Sequence, residues 1–345
     1  MNSSKLNTSN YNNLLLEISN ILTDSKSSVA RTVNKTIVVT NWHIGKYIVE
    51  YEFKGKDRAE YGTQLLKRLS NDLTNKFGRG YSWRNLYNMK EFYKKFQILQ
   101  TSSAKFNNKI SSSFSKLTWS HYVRLLSIND EDERNFYLIE AAENNWKERE
   151  LDRQINSSLF ERLVLSKNKE KIKELSENGH IMQSEQDILK DPLILEFLNI
   201  KNKDDYSEND LEAAIINNIG EFLLELGKGF TFVARQQRIS SGTEHFFIDL
   251  VFYNRLLRSF VIIDLKIGKL KHQDIGQMQM YVNYYDREVK TDSENPTIGI
   301  ILCKENDEFV VEYTLPENNK QIFANEYKLY LPNKKELRAL LEKYI

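Results

Sequence analysis

Apolar positions recur at helical spacing in the first part of the chain and run almost without interruption in the last part. Leu14, Leu15, Ile18, Ile21 and Leu22, then Ile37, Val38, Trp42, Ile44 and Ile48, fit two amphipathic helices packed on each other. A third helix is predicted over 61–77 on Leu65, Leu66, Leu69 and Leu73. It stops at Gly78-Arg79-Gly80, because glycine reaches the positive φ of a helix end without strain. Ser82 has the character of an N-cap for a fourth helix over 83–97. The Ser-rich stretch 101–115 reads as a loop, and helical patterns resume over 119–126, 135–146 and 151–165. All four prolines (Pro192, Pro296, Pro316, Pro332) lie beyond residue 190, which leaves the first half free of a helix breaker.

Between 167 and 190 the apolar content falls and Lys, Glu, Ser and Asn dominate, as in a linker or insertion. From residue 207 the pattern changes. Ser207-Glu208-Asn209-Asp210 can cap a helix with the stripe Leu211, Ala214, Ile215, Ile219, Phe222, Leu223 and Leu226, ending at Gly227. Three strand-like runs follow at 230–239, 246–253 and 260–266, then a helix over 273–285 and a buried-strand run at 297–303. Short connections join the first three strands and a helix precedes the last. The expectation is therefore α+β overall: an all-α N-terminal domain (1–166), a linker or insertion (167–205), and an α/β core (206–345) whose mixed sheet has helices on its faces.

The sequence has 345 residues and a formal net charge of only +1. The sum hides a division, because residues 54–124 hold 15 basic and 4 acidic side chains, a local +11 against −10 elsewhere. A basic block of this kind suits a polyanion and predicts salt-sensitive binding. Helices three and four, joined by the glycine turn, have the outline of a helix-turn-helix. Arg84, Asn85 and Asn88 are then candidates to read bases, and Arg79, Lys90, Lys94 and Lys95 to hold phosphates. The same hairpin also fits a packing or homodimerisation unit. The single cysteine, Cys303, excludes an intramolecular disulfide and a thiolate zinc site. With no apolar leader and no run long enough to span a membrane, a cytoplasmic protein with no membrane partner is expected.

The candidate chemistry lies in Phe247-Ile248-Asp249-Leu250 and Ile263-Asp264-Leu265-Lys266, where two aspartates interrupt apolar strands. A buried charge without a partner is costly. If the two runs form a hairpin centred between Leu256 and Leu257, the aspartates face each other across the pair, with Cβ atoms roughly 4.5–5.5 Å apart. Their repulsion, about 3 kcal/mol at an effective dielectric of 20, calls for a proton or a cation. Lys266, two residues after Asp264, is one cation and a divalent metal on oxygen ligands is the other.

An Asp, about fifteen residues, then Asp-X-Lys on the next strand, in a helix, three strands, helix, strand order, resembles the PD-(D/E)XK nuclease superfamily and its restriction-endonuclease-like core. Asp249 matches the first acidic position, with Ile248 where the name has proline, and Asp264 and Lys266 match the second half. Gln277 and Tyr281 resemble the Gln-X-X-X-Tyr element of RecB-like members; their i, i+4 spacing puts both on one helix face. The segments Glu225-Leu-Gly-Lys-Gly-Phe-Thr-Phe-Val-Ala-Arg-Gln, Asp249-Leu-Val-Phe-Tyr, Gly299-Ile-Ile-Leu-Cys, Ala59-Glu-Tyr-Gly, Phe77-Gly-Arg-Gly-Tyr-Ser and Leu117-Thr-Trp-Ser-His-Tyr are similar to the bacterial YhcG-type family. That family pairs a helical, winged-helix-like N-terminal domain with a C-terminal nuclease core.

The resemblance implies a nuclease acting on nucleic acid, DNA above all, by metal-assisted phosphodiester hydrolysis. Asp249 and Asp264, with the main-chain carbonyl of Leu265 and with Glu212, would hold Mg²⁺ or Mn²⁺, which activates water and stabilises charge on the phosphate. Lys266 would orient that water and neutralise the developing charge. Glu212 is the chosen additional acid, with Glu221 and Glu225 as rivals that spacing does not eliminate. Asp264 stands where a longer Glu is more usual. A second reading, from another class, is a catalytically silent nucleic-acid-binding or assembly protein that keeps the fold; an ordinary meander with a surface salt-bridge cluster would show the same residues.

Overall fold

The structure is a computed structural model, and its described residues are 8–54, 60–96, 110, 112–113, 116–165, 171–200, 205–241, 243–334 and 337. The chain divides into two compact units, Met1–Asp152 and Arg153–Ile345.

The first unit is helical. α1 (Thr8–Lys54) is one continuous helix of 47 residues, not the two packed helices expected from the apolar clusters at 14–22 and 37–48. Neither glycine nor proline separates those clusters, so nothing in the backbone interrupts the helix. Its second half buries Val38, Trp42, Ile48 and Val49. α2 (Glu60–Phe77) and α3 (Trp83–Lys95) are joined by the expected turn, in which Gly78 and Gly80 have φ of 85° and 121°. Ser82 caps α3 by accepting from the Asn85 amide. α3 ends at Phe96, and most of the Ser-rich stretch 101–115 lies outside the described residues. A Cβ on Gly45 would collide with the Met89 carbonyl, so glycine is what lets α1 and α3 approach.

α4 (Trp119–Leu125) and α5 (Glu131–Glu143) complete the helical packing, and the stripe expected as one helix over 151–165 breaks into α6 (Glu148–Asn156) and α7 (Leu159–Leu165). The break falls at Ser157-Ser158, where Ser158 takes a φ of 54°. The stretch 167–205 holds α8 (Lys171–Asn178) and a two-residue strand, β1 (Leu193–Ile194).

The second unit is built on a sheet. The helix expected over 207–227 is broken at Asn218, which takes φ −120° and ψ 35°, into α9 (Glu208–Asn217) and α10 (Ile219–Leu226). Then come β2 (Phe230–Ser241), β3 (Glu244–Asn254), β4 (Ser259–Lys269), α11 (His272–Tyr284), β5 (Ile298–Glu305), α12 (Glu308–Thr314) and β6 (Ile322–Lys328). Among the described residues six strands form one sheet in the order β1-β6-β5-β4-β3-β2. β2, β3 and β4 are an antiparallel meander, whereas β4, β5, β6 and β1 run parallel. Apolar side chains leave both faces: Leu211, Ile215 and Phe222 pack against Leu250, Phe252 and Ile263 on one, and Ile275, Met278 and Val282 against Val251, Ile262 and Ile301 on the other. Burial on both faces explains the near-continuous apolar runs of β4 and β5. The architecture is the expected α+β arrangement with a mixed sheet.

Candidate active site

The antiparallel pairing of β3 with β4 runs from Asn254↔Ser259 to Leu250↔Ile263 and stops there. Asp249 and Asp264 are the next residues in this register. Beyond the last pair, the Asp249 side chain replaces a strand carbonyl: its Oδ2 accepts from the Leu265 amide at 2.8 Å. The carboxylate thus ends the ladder and holds β4 at the point where the two strands part.

On its other side Asp249 stands in register with Gln236 of β2, because Arg235 pairs with Leu250 and Gln237 with Ile248. Gln236 has a φ of 46°, a left-handed conformation rare for a residue with a long side chain in a strand. Its amide donates to Asp249 Oδ1 at 3.1 Å and also to Glu212 Oε2 of α9. One NH₂ group therefore links two carboxylates from different elements. Gln236, Asp249 and Asp264 form a row across β2, β3 and β4, with Glu212 reaching it from the helix. Glu212 is buried, and the Arg235 guanidinium lies 3.7 Å from its carboxylate.

Asp264 is 2% exposed, and its Oδ2 lies 2.8 Å from Lys266 Nζ. The approach is electrostatic, since the geometry gives that oxygen no aligned hydrogen bond. Burial pushes the Asp264 carboxyl up to about 6, against the pull of Lys266 and with added repulsion from Asp249. Burial opposes the charge on Lys266 as well, but Asp264 and then Glu208 outweigh it and hold the ammonium above its usual range. The two partners differ because the carboxylate lies much deeper than the lysine. Desolvation wins at Asp264, and the ion pair wins at Lys266.

Gln277 and Tyr281 face the same strands from α11. Gln277 donates to the Tyr281 hydroxyl at 2.6 Å, and that hydroxyl donates to the Phe247 carbonyl at 2.9 Å, two residues before Asp249. The fully buried Tyr281 thus ties α11 to the strand that carries Asp249. Of the two rivals to Glu212, Glu221 is exposed. Glu225 is fully buried elsewhere, accepting from Arg162, Arg153 and the Ile194 amide. Sequence reasoning missed Gln236: Arg235-Gln236-Gln237 reads as ordinary strand, and the only available signal was a polar residue in register with Asp249.

The candidate nucleic-acid residues of the helical unit separate into two groups. Asn85 is spent internally, donating to the Gly80 carbonyl at 2.5 Å and accepting from the Trp119 indole at 2.8 Å. Lys90 pairs with Glu52 at 2.7 Å and Lys94 with Glu91 at 3.1 Å. Lys95 donates to the Leu126 and Ile128 carbonyls at 2.7 and 3.2 Å, and burial lowers its pKa. Arg79 and Arg84 stand exposed at the turn and at the start of α3, with Asn88 half-buried one turn on.

The fold and its sequence define a class. Residues 186–342 match the family described as the YhcG PDDEXK nuclease domain, so the second unit is a nuclease domain of the PD-(D/E)XK type. Residues 17–162 match the DUF1016 N-terminal domain. The chain is 38% identical over 351 residues to the Escherichia coli (strain K12) protein named "Putative nuclease YhcG", covering 96% of this chain and 93% of that protein. It belongs to the YhcG-type family of PD-(D/E)XK nucleases. Among solved structures it is similar to a repair endonuclease from Pyrococcus abyssi, at 20% identity and a TM-score of 0.25 over 37% of this chain and 50% of that one. It is also similar to EndoMS in a complex with dsDNA, at 17% identity and a TM-score of 0.26 over 37% and 46%. The chain thus spans half or less of these two structures. No described helix is long and apolar enough to cross a membrane.

Proposed function

We propose that this nuclease hydrolyses DNA with a divalent ion, Mg²⁺ or Mn²⁺, held at the row formed by Asp249 and Asp264, and that the exposed arginines of the helical unit engage the nucleic-acid backbone. The observation that carries the reading is the amide of Gln236 lying between the carboxylates of Glu212 and Asp249. A donor shared by two acids marks a position suited to positive charge, and the acidic side chains of Glu212, Asp249 and Asp264 offer hard oxygen ligands, which fit these ions. Among the described residues no three acidic, histidine or cysteine side chains already sit as a metal cluster. Asp249, Asp264 and the Leu265 carbonyl would therefore be the direct ligands, with Glu212 completing the set and water filling the remainder.

The bound ion would supply Lewis acidity toward the phosphate and activation of water. The chain's own groups do the positioning. Lys266, fixed by Asp264, presents an ammonium that stays charged at neutral pH and can hold the attacking water or a phosphate oxygen. The Gln277–Tyr281 relay holds β3 so that Asp249 keeps its place beside the Leu265 amide. Arg79 and Arg84 bring exposed positive charge to the end of α3 that a groove-reading helix would present.

Thermal melting during a metal titration tests the reading. Mg²⁺ or Mn²⁺ should raise the melting temperature of the wild-type protein and leave Asp249→Ala unmoved. An equal rise in both proteins, or in neither, would remove the proposed site and favour a silent binding protein. Cleavage of labelled duplex, junction and single-stranded DNA and of RNA then decides the substrate; preference for RNA would overturn the DNA assignment.

A further inference from the structure

The long helix α1 has two apolar faces, and only one is covered. Val38, Trp42 and Val49 are buried on one side. On the other side Tyr11, Leu15, Ile18, Leu22, Val29 and Val33 are 46–64% exposed, and Tyr47 and Tyr51 continue the line at 68% and 54%. At about 100° per residue these positions fall within a sector of roughly 60°, on the side of the helix opposite Trp42. Between residues 11 and 51 that sector holds only Tyr, Leu, Ile, Val and Thr. Leu14, Leu16 and Ile21, 53–65% exposed, stand outside this sector, so the uncovered apolar surface of the first half is wider than the stripe alone.

The stripe has a second property. Most of its positions pair about residue 31, 11 with 51, 15 with 47, 22 with 40 and 29 with 33, while Ile18 meets Ile44 at the edge of the stripe and Thr36 meets Lys26. An antiparallel pair of identical helices crossing at residue 31 therefore brings stripe onto stripe at eight of its ten positions, and its twofold axis closes the assembly at two chains. At the C-terminal end of α1 a groove of about 620 Å³ opens beside the stripe, lined by Ile44, Tyr47 and Tyr51 together with Leu65, Leu69 and Leu73, the last three from α2. The antiparallel register places Tyr11, Leu15 and Ile18 of one copy at Tyr51, Tyr47 and Ile44 of the other. The bare half of each helix thus meets the groove of its partner. A helix cannot fold back on itself, so an α1 that fills this groove belongs to a second copy.

The area agrees. Residues 11–51 extend about 60 Å at 1.5 Å per residue, and a stripe about 10 Å wide gives roughly 600 Å² per copy before the groove walls are added. That approaches the roughly 800 Å² per partner of a stable interface, and it stands at the upper end of the roughly 300–600 Å² that a monomer ordinarily leaves exposed in its largest patch.

We propose that the stripe of α1 is the interface of an antiparallel homodimer of this chain. The inference stands apart from the nuclease chemistry, since none of these residues belongs to the site on the sheet. Light scattering on the full chain should give a mass twice 40.7 kDa at tens of micromolar. A mass of one chain there, or one partner helix captured from another protein in place of a second copy, would overturn the proposal. Leu15→Glu with Leu22→Glu should yield monomers; dimers that persist would move the interface elsewhere. Cys303 is buried, so introduced thiols can be read against it. Leu15→Cys combined with Tyr47→Cys should form disulfide-linked dimers on mild oxidation, whereas Leu15→Cys alone should not. Efficient crosslinking by the single variant would show parallel helices and overturn the antiparallel register.

Discussion

Two buried carboxylates in the nuclease unit have opposite surroundings. Glu225 is fully buried and enclosed by cations: Arg162 and Arg153 contact its carboxylate, and Lys190 donates to its main-chain carbonyl. Burial would raise its pKa, but Arg162, then Lys190 and Arg153, more than reverse this and bring it down to about 2. Asp264 is almost as deeply buried and has one cation, Lys266, with Asp249 repelling it, and it rises to about 6. The first centre is saturated: α6, α7, β1 and α10 converge on a charge that needs nothing more. The second is short of positive charge, as a site that completes itself with a ligand would be.

Substitutions should separate the two centres. Lys266→Ala should reduce divalent-ion-dependent cleavage by at least about 100-fold, the scale of losing one group that stabilises developing charge, while the circular dichroism spectrum and melting temperature stay near those of the wild type. Undiminished cleavage would remove Lys266 from the chemistry. Glu225→Ala should do the reverse, lowering stability by about 3–5 kcal/mol because it strands buried arginines; the loss is readable as a fall in the denaturant midpoint. A nearly neutral result would show that water reaches the Arg162 side chain.

The pH dependence of stability in metal-free protein gives a subtler contrast. Glu225 has a folded pKa below its ordinary value of 4.5, so its stabilisation is present above that value and is lost as pH falls toward 2. Asp264 has a folded pKa above its ordinary 3.8, so the fold prefers its neutral form. Its contribution therefore declines as pH rises from about 4 through about 6. Glu225→Gln should flatten the acid limb of a urea-midpoint profile and Asp264→Asn the limb above pH 4. The same variant flattening both limbs would mean the centres titrate together. The smallest effect is expected at Gln236→Ala, with metal affinity about tenfold weaker, at the low end for loss of a group that orients ligands. Calorimetric titration of Mn²⁺ measures this without reference to turnover, and unchanged affinity would make Gln236 a strand residue only.

Much of this was legible in the residues. Gly78 and Gly80 announced the turn between α2 and α3, Ser82 the cap of α3, and the runs 246–253 and 260–266 announced the meander and its register. These signals are local: a glycine needs its φ whatever lies around it, and a hairpin register follows from counting outward from the loop. The misreadings involve longer reach. Two apolar clusters on α1 looked like two helices because a stripe covered by its own fold and a stripe left open have the same spacing. Ser158 and Asn218 break helices that continuous apolar stripes seemed to require. The partners of Asn85, Lys90 and Lys95, expected as nucleic-acid contacts, were likewise not legible, because Trp119, Glu52 and Leu126 lie far away in sequence.

The sequence by itself determined the class of sheet and the pairing of two aspartates with a lysine, because periodicity and spacing act between residues close along the chain, and the family through the likeness of its motifs. Only the tertiary structure decided which glutamate belongs to which centre. Glu212 and Glu225 lie thirteen positions apart in the same helical region, and no local rule distinguishes them. Glu225 points among cations supplied from residues 153–190, while Glu212 meets an amide from β2 that a left-handed backbone turns toward it. Burial and charge at such a point are sums over segments that meet only when the chain has folded.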